Sequence, residues 1–244
     1  DTYLSLGATP FGSDLSGAFT VVCWIKPSQL SWETVIGIYA SSNEFIQLSS
    51  ATDVRFRIGA SAYGVFTHGH TFTTDEWQHF AIVRNDSDYW RVYRNGVPSA
   101  LSSVSNFTSN GTPADGTAYS GTFAPDSIGA NDGGQEFTGN MDEVAVWNTT
   151  LSIGQVKTLY NNREPFNAKN IALSNLKGYW RMGDGVLDAR ITDGIVADQT
   201  NATLGINLFD ADAKVFAVGG TYNGTNPGSE HATDTYGWIQ SGDN

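Results

Sequence analysis

The chain has 244 residues, 40% of them hydrophobic and 12% aromatic, enough apolar side chain for one large β domain or a domain plus an extension. Its 13 Lys and Arg against 25 Asp and Glu leave a net charge of −12, which opposes nucleic acid or an anionic membrane surface as the partner, because phosphates would be repelled. An acidic surface suits divalent cations or plain solvation, and the single cysteine, Cys23, excludes an intrachain disulfide.

Secreted animal proteins of this size often carry disulfides, so a microbial, viral or cytosolic origin is favoured. No stretch is apolar enough to insert in a bilayer. The opening DTYLSLG has neither a methionine nor a signal peptide, as expected of a mature, processed or trimmed product. The 27 glycines fall between apolar runs, where they mark turns.

Tyr3, Leu4 and Leu6 predict a first short strand, and Phe19–Lys26 alternates strictly until Pro27 ends it. Cys23 alternates with Val21 and Ile25 and reads as a small core residue. Val35–Tyr39, Phe45–Leu48, Val54–Ile58 and Tyr63–Phe66 follow at close intervals, with Ser, Asn, Asp and Gly between them, the spacing of an antiparallel sandwich. Trp77–Arg84 pairs with Trp90–Arg94, which ends in Asn95-Gly96, the dipeptide that favours positive φ at both positions of a hairpin turn. Residues 101–125 are polar and read as a long surface insertion, where binding function often sits.

Residues 127–161 read SIGANDGGQEFTGNMDEVAVWNTTLSIGQVKTLYN: a polar loop, a strand and a capped helix. Ser152 with Gln155 three residues on is a capping box. Ile153, Val156, Leu159 and Tyr160 then recur at helical spacing, as a stripe that would lie on a sheet. After a linker at 164–175, Leu176–Asp184 predicts a strong strand, and residues from 205 onward are rich in Gly, Asn and Thr, as in a loosely packed tail or an assembly arm. The expected division is a domain over 1–204, with strand 176–184 completing the sandwich, and an extension over 205–244.

The 127–161 segment closely resembles the closing part of laminin-G-like, concanavalin A-type jelly rolls, the group that includes the pentraxins. Thr20, Trp24, Lys26 and Pro27 match a further pattern of that group, as do W-x-H-x-A-x-V-R from Trp77 and Y-x-N-G-V from Tyr93, so the resemblance covers roughly residues 3 to 161. It implies an all-β, antiparallel β-sandwich jelly roll with one short helix. In many relatives a segment like GYWRMGDG followed by D-x-[ST]-x-N-x-x-x-L opens the domain. Here Gly178–Gly185 and Asp198–Leu204 come last, which implies a circularly permuted jelly roll. The late strand then fills its own sandwich, or a neighbouring subunit's by domain swapping.

Glucanases of the superfamily use E-x-D-x-E on one strand, so that alternate carboxylates point into the cleft. The matching stretch is Asn140-Met141-Asp142-Glu143-Val144, which lacks both flanking acids, with Glu143 expected on the face opposite Asp142. Hydrolase activity is not expected, nor is any other enzymatic activity.

Calcium takes several oxygen ligands, and Asn131, Asp132, Gln135 and Glu136 supply them in one Gly-rich loop. The pentraxin resemblance implies that an Asp-Asn pair of an earlier loop joins them. Here that loop is Ser42-Asn43-Glu44, so Asn43 matches and Ser42 replaces the acid. A solvated turn without an ion is the plain alternative. A separate ion at Asp142 is a second possibility, against a carboxylate bonded to backbone N–H groups.

His68-Gly69-His70 offers two imidazoles with no third ligand nearby in sequence, the pattern of an exposed loop rather than a zinc site. Aromatic faces can stack on sugars. Trp24, Trp147 and Trp180 alternate with apolar neighbours and are expected in the core, which leaves Trp32, Trp90 and Trp238 as ligand-binding candidates.

The expected function is non-catalytic, lectin-like recognition of a glycan or surface polysaccharide, calcium-dependent if the loop holds its ion. The stretch from LYNN through GYWRMGDG to DQTNATL also resembles jelly rolls of phage and marine viral structural proteins. That implies a virion or extracellular location and partners among other structural proteins of an assembly, self included. The competing expectation is a purely structural decoration protein of a virus or phage particle, without glycan binding.

Overall fold

The computed structural model describes residues 3–7, 10–39, 44–58, 64–87, 89–100, 122–131 and 135–181. Backbone strands are also described at 102–103, 108–109, 112–113, 195–197, 205–208, 214–216 and 238–240. Two antiparallel sheets face each other. The first runs, in spatial order, Thr112–Pro113, Thr108–Ser109, Gly64–Thr67, Asp53–Arg57, Phe45–Leu48, Glu33–Gly37, Ser127–Ile128, Leu4–Ser5, Gly205–Leu208 and Ile195–Ala197. The second runs Ser102–Ser103, Tyr89–Arg94, Gln78–Arg84, Phe19–Pro27 and Gly139–Trp147.

Two strands share the outer edge of Gly139–Trp147. Leu176–Trp180 pairs with its Val144–Trp147 half, and Trp238–Gln240 pairs with Asn140 and Met141. The late strand thus pairs with Gly139–Trp147. It spans Leu176–Trp180, and residues 182–184 of the expected strand lie outside the described residues. Gly205–Leu208 pairs with Leu4–Ser5, and Trp238–Gln240 with Asn140 and Met141, so backbone pairing crosses the 204/205 division expected from composition.

Alternation explains the core. Ile46, Leu48, Val54 and Phe56 of the first sheet and Val21, Cys23, Ile25, Phe80, Ile82 and Val92 of the second point inward into one buried cluster. Its aromatic centre bridges the sheets: Phe56 stacks on Trp90 at 4.2 Å between ring centroids, and Phe19 meets Trp90 edge-on at 5.5 Å. Trp24, Trp147 and Trp180 are buried, as expected. Trp90 is fully buried too, which removes it from the sugar-stacking candidates: Phe56 and Phe19 already occupy its ring.

A second cluster lies on the outer face of the second sheet. Val22, Ala81, Val83, Tyr93, Ala145, Trp147 and Tyr179 are covered there by Val156 and Leu159 of the helix and by Ala168 of the following segment. The helix spans Ile153–Tyr160 with the expected capping box at Ser152 and Gln155, and Asn161 closes it in the left-handed conformation. Of the expected stripe, Val156 and Leu159 are buried, whereas Ile153 is 44% exposed.

Candidate functional site

The outer face of the first sheet carries the polar surface. Because Ile46, Leu48, Val54 and Phe56 point inward, Phe45, Gln47, Arg55 and Arg57 must point the other way. Gln47 stands opposite both Thr34 and Arg55 in the strand register, so the three side chains form one row across three strands. The Gln47 amide donates to Thr34 Oγ1 and to Gln135 Oε1, both at 2.8 Å. Thr34 in turn donates to the backbone carbonyl of Gln135. Gln135 is thereby fastened across the sheet by side chains of two strands.

Trp32 closes one end of this row. It has φ +65, a backbone state that costs a bulky residue energy and persists only where its surroundings enforce it. The ring is 43% exposed, and the Arg55 guanidinium lies 4.5 Å from its centroid and 4.9 Å from that of Phe45. A guanidinium held on aromatic faces keeps its charge and a fixed orientation. Exposed indole and fixed cation together suit hydroxyl-rich ligands, which need a flat apolar face and a polar anchor, while Gln47 and Thr34, fully buried, hold Gln135 in place.

Beside the row sits Asn131. It is 1% exposed, and neither its amide nitrogen nor its amide oxygen has a hydrogen-bond partner among the described residues. A buried amide in that state has forgone its water without replacement, which is costly unless a ligand or ion completes it. Gly37 makes room for it: a Cβ there would come within 3.1 Å of Asn131 Cβ. Glu33, at the other end of the Glu33–Gly37 strand, is fully buried and accepts from the Thr138 backbone N–H; burial pushes its carboxyl up to about 7.

Of the six oxygen donors considered for calcium, four lie among the described residues. Asn131 and Gln135 flank one loop of the first sheet, and Glu136 follows them, half-buried. Asn43 and Asp132 lie outside the described residues. Asp142, considered for a separate ion, belongs to the second sheet, opposite Trp24. Gln135 Oε1 is already engaged by Gln47, which leaves the unpartnered Asn131 oxygen as the donor that fits a cation. Among the described residues no group of three or more His, Cys, Asp or Glu could hold a metal.

The strand carrying Asp142 also departs from expectation. Its register with Phe19–Pro27 shifts between Asp142 and Ala145, and Glu143 has φ +51: this is a β-bulge. The extra residue breaks strict alternation, so Glu143 lines the same small outer cavity as Trp24, His79 and Trp147 instead of facing away from Asp142. Its carboxylate accepts from the Tyr179 hydroxyl and from Arg181 Nε at 3.0 Å. His79, fully buried beside it, has no partner for either ring nitrogen, and burial pulls its pKa down to about 3.

Of the ligand candidates, Trp32 is at the surface and Trp90 in the core. Trp238 lies on a strand described by backbone alone. Sequence reasoning missed Arg55, Gln47 and Thr34. The signal for Arg55 was available, since alternation with Val54 and Phe56 sets it on the outer face. The contacts of Gln47 and Thr34 with Gln135 span 88 and 101 residues of chain and leave no local trace.

A family model described as the concanavalin A-like lectin/glucanases superfamily matches residues 1–157. No curated protein matches the chain. Among solved structures, a candidate carbohydrate-binding protein from Bacteroides ovatus ATCC 8483 is 17% identical, with a TM-score of 0.58. That alignment covers 86% of this chain, which spans only 56% of the Bacteroides protein. Domain 4 of an extracellular arabinanase from Geobacillus stearothermophilus, solved with arabinotriose, is 25% identical over 60% of this chain and 69% of its own, at a TM-score of 0.45. A pentraxin from Limulus polyphemus is 20% identical over 66% of this chain and 82% of its own, at 0.43.

Proposed function

For a chain that belongs to the concanavalin A-like lectin/glucanases superfamily, we propose non-catalytic recognition of a glycan or surface polysaccharide on the outer face of the first sheet. The observation that carries this reading is the exposed Trp32 ring held against Arg55, in one row with Gln47 and Thr34. The Bacteroides ovatus candidate carbohydrate-binding protein has the same fold, which agrees with the reading. Catalysis by a carboxylate pair is disfavoured by sequence and burial alike. The Asn140–Val144 stretch lacks the flanking acids, and Asp142 and Glu143 are both buried, Glu143 with its carboxylate held by Tyr179 and Arg181.

Calcium enters the same reading. Asn131 would offer the ion its amide oxygen, with Glu136 and, from loops outside the described residues, Asp132 and Asn43 as further donors. The ion would supply a hard Lewis acid for sugar hydroxyls. The setting that suits an acidic, disulfide-free sandwich of this kind is an extracellular or virion surface assembly, with copies of itself or other structural proteins as neighbours.

The test is a glycan array probed with the wild type and with Trp32→Ala, each in calcium and in chelator. The expected result is a defined set of sugars bound by the wild type and lost in the variant. Insensitivity to chelator would discard the ion and keep the sheet-face site. Silence of the wild type under both conditions would overturn recognition in favour of a purely structural role.

A further inference from the structure

A second surface, on the other side of the molecule, has a different chemistry. The Asn95-Gly96 turn and the Val97–Pro98 strand stand beside the helix and leave a groove of about 730 Å³ between them. His70, Arg94, Val97, Ile153, Lys157 and Tyr160 give it its character. The turn is fitted to the groove wall. Asn95 and Gly96 have φ +50 and +72, and a Cβ on Gly96 would lie 3.0 Å from the Tyr160 ring, so only glycine satisfies both the turn and the close approach. Tyr160 is itself fixed from behind, stacked on Trp24 at 6.0 Å between centroids.

Charge is what sets this groove apart. In a chain of net charge −12 no carboxylate among the described residues lines it, while Arg94 and Lys157 both do. Arg94 uses Nε to donate to Gln78 Oε1 at 2.8 Å and rests 6.0 Å from the Phe72 ring centroid. That orients the guanidinium while leaving its two terminal nitrogens without an acceptor among the described residues. Lys157 has no carboxylate partner among the described residues. Burial lowers the pKa of His70, with the Arg94 charge acting in the same direction, so His70 supplies a neutral ring beside two permanent cations. The walls are apolar: Val97 is 57% exposed and Ile153 44% exposed, beside the Tyr160 ring.

We infer that this groove binds a saccharide unit bearing a single carboxylate. The oriented guanidinium and the lysine meet the carboxylate, and Tyr160 with Val97 and Ile153 takes the ring of the sugar. A groove of this volume falls within the size range of small-ligand pockets. The net negative charge of the rest of the protein repels an extended polyanion, so the favoured ligand carries its charge locally, as a terminal acidic sugar does. The inference rests on these residues and not on the Trp32 surface, which lies on the other sheet.

The test uses the full chain and isothermal calorimetry against glucuronate, galacturonate and N-acetylneuraminate, each beside its uncharged methyl ester. At least one acid is expected to bind, with its ester weaker by about tenfold, the scale of one charge-assisted contact. Lys157→Gln, at an exposed helix position, and Arg94→Gln should each weaken the acid by a similar factor, whereas Trp32→Ala should leave it unchanged. The last variant separates this groove from the sheet-face site, so that either can fail alone. No binding of any acid at up to about 10 mM, a limit that still detects very weak sites, would overturn the inference. Binding unaffected by Lys157→Gln, ester and acid of equal strength, or capture of inorganic phosphate in place of every sugar would overturn it as well.

Discussion

On the outer face of the sheet built around Phe45–Leu48, Trp32 is 43% exposed and Arg55 lies on its ring. On the outer face of the sheet built around Gly139–Trp147, Trp147 is fully buried and its Nε1 donates to the Ile171 carbonyl at 2.8 Å. Both faces hold an indole, an arginine and a fixed polar network. What separates them is the lid. Val156 and Leu159 of the helix, with Ala168 after it, close the second face, and behind them Tyr179 and Arg181 satisfy Glu143. Gln135 reaches the first face, where Trp32 stays exposed and Asn131 has no partner among the described residues. The same residue types thus become structure under a cover and a site without one.

The largest effect expected from breaking that comparison is on the covered side. Trp147→Ala should cost about 3–5 kcal/mol, the range for truncating a fully buried aromatic, and should show in chemical denaturation as a lower midpoint. It also leaves the Ile171 carbonyl without its donor. A loss under about 1 kcal/mol would mean that the helix and the following segment do not pack as described.

An intermediate effect separates the faces by pH. His79, on the covered side, has a folded-state pKa of about 3 against an ordinary 6.5, so the unfolded chain binds its proton first. Stability from this group is present above pH 6.5 and is lost as pH falls toward about 3. Glu33, at the open sheet, has its folded pKa raised to about 7 from 4.5, so the folded chain binds the proton more tightly. Its contribution is full below pH 4.5 and is lost as pH rises through about 7. Subtracting the wild-type melting temperature from that of Glu33→Gln should therefore give a difference that climbs between pH 4.5 and 8. A flat difference would show that Glu33 titrates as it does in water.

The smallest stability effect is expected on the open side. Trp32→Ala should change unfolding free energy by no more than about 0.5 kcal/mol, as for surface positions away from packed contacts, or raise it slightly by relieving the φ +65 strain if the backbone relaxes. Sugar binding should be lost all the same. A large destabilisation would class Trp32 with Trp147, as packing and not as a site.

Local rules made much of this legible. Ser152 with Gln155 marks the helix start, Asn95-Gly96 the hairpin, and the alternation of Phe45–Leu48 and Asp53–Arg57 the inward and outward faces. Each depends on residues a few positions apart, where backbone sterics and hydrogen-bond geometry act directly. The site itself was legible only in pieces. Asn131 and Gln135 are neighbours in sequence, but their environment comes from Gly37, Thr34 and Gln47, about a hundred residues earlier.

Trp32 and Trp90 both stand near turns, and nothing local distinguishes them. Trp90 is buried because Phe56 of the opposite sheet stacks on it, and Trp32 is exposed because no element among the described residues covers it. Glu143 follows the same logic: alternation turns it away from Asp142, and the bulge against Phe19–Pro27 brings both onto one covered face. Sequence by itself determined which face of each strand is apolar, where the turns fall and where the helix begins, because those are short-range properties of the chain. The tertiary structure alone decided which sheet each strand joined, which outer face received the helix and which cations were left without carboxylates, because those depend on contacts between segments far apart along the chain.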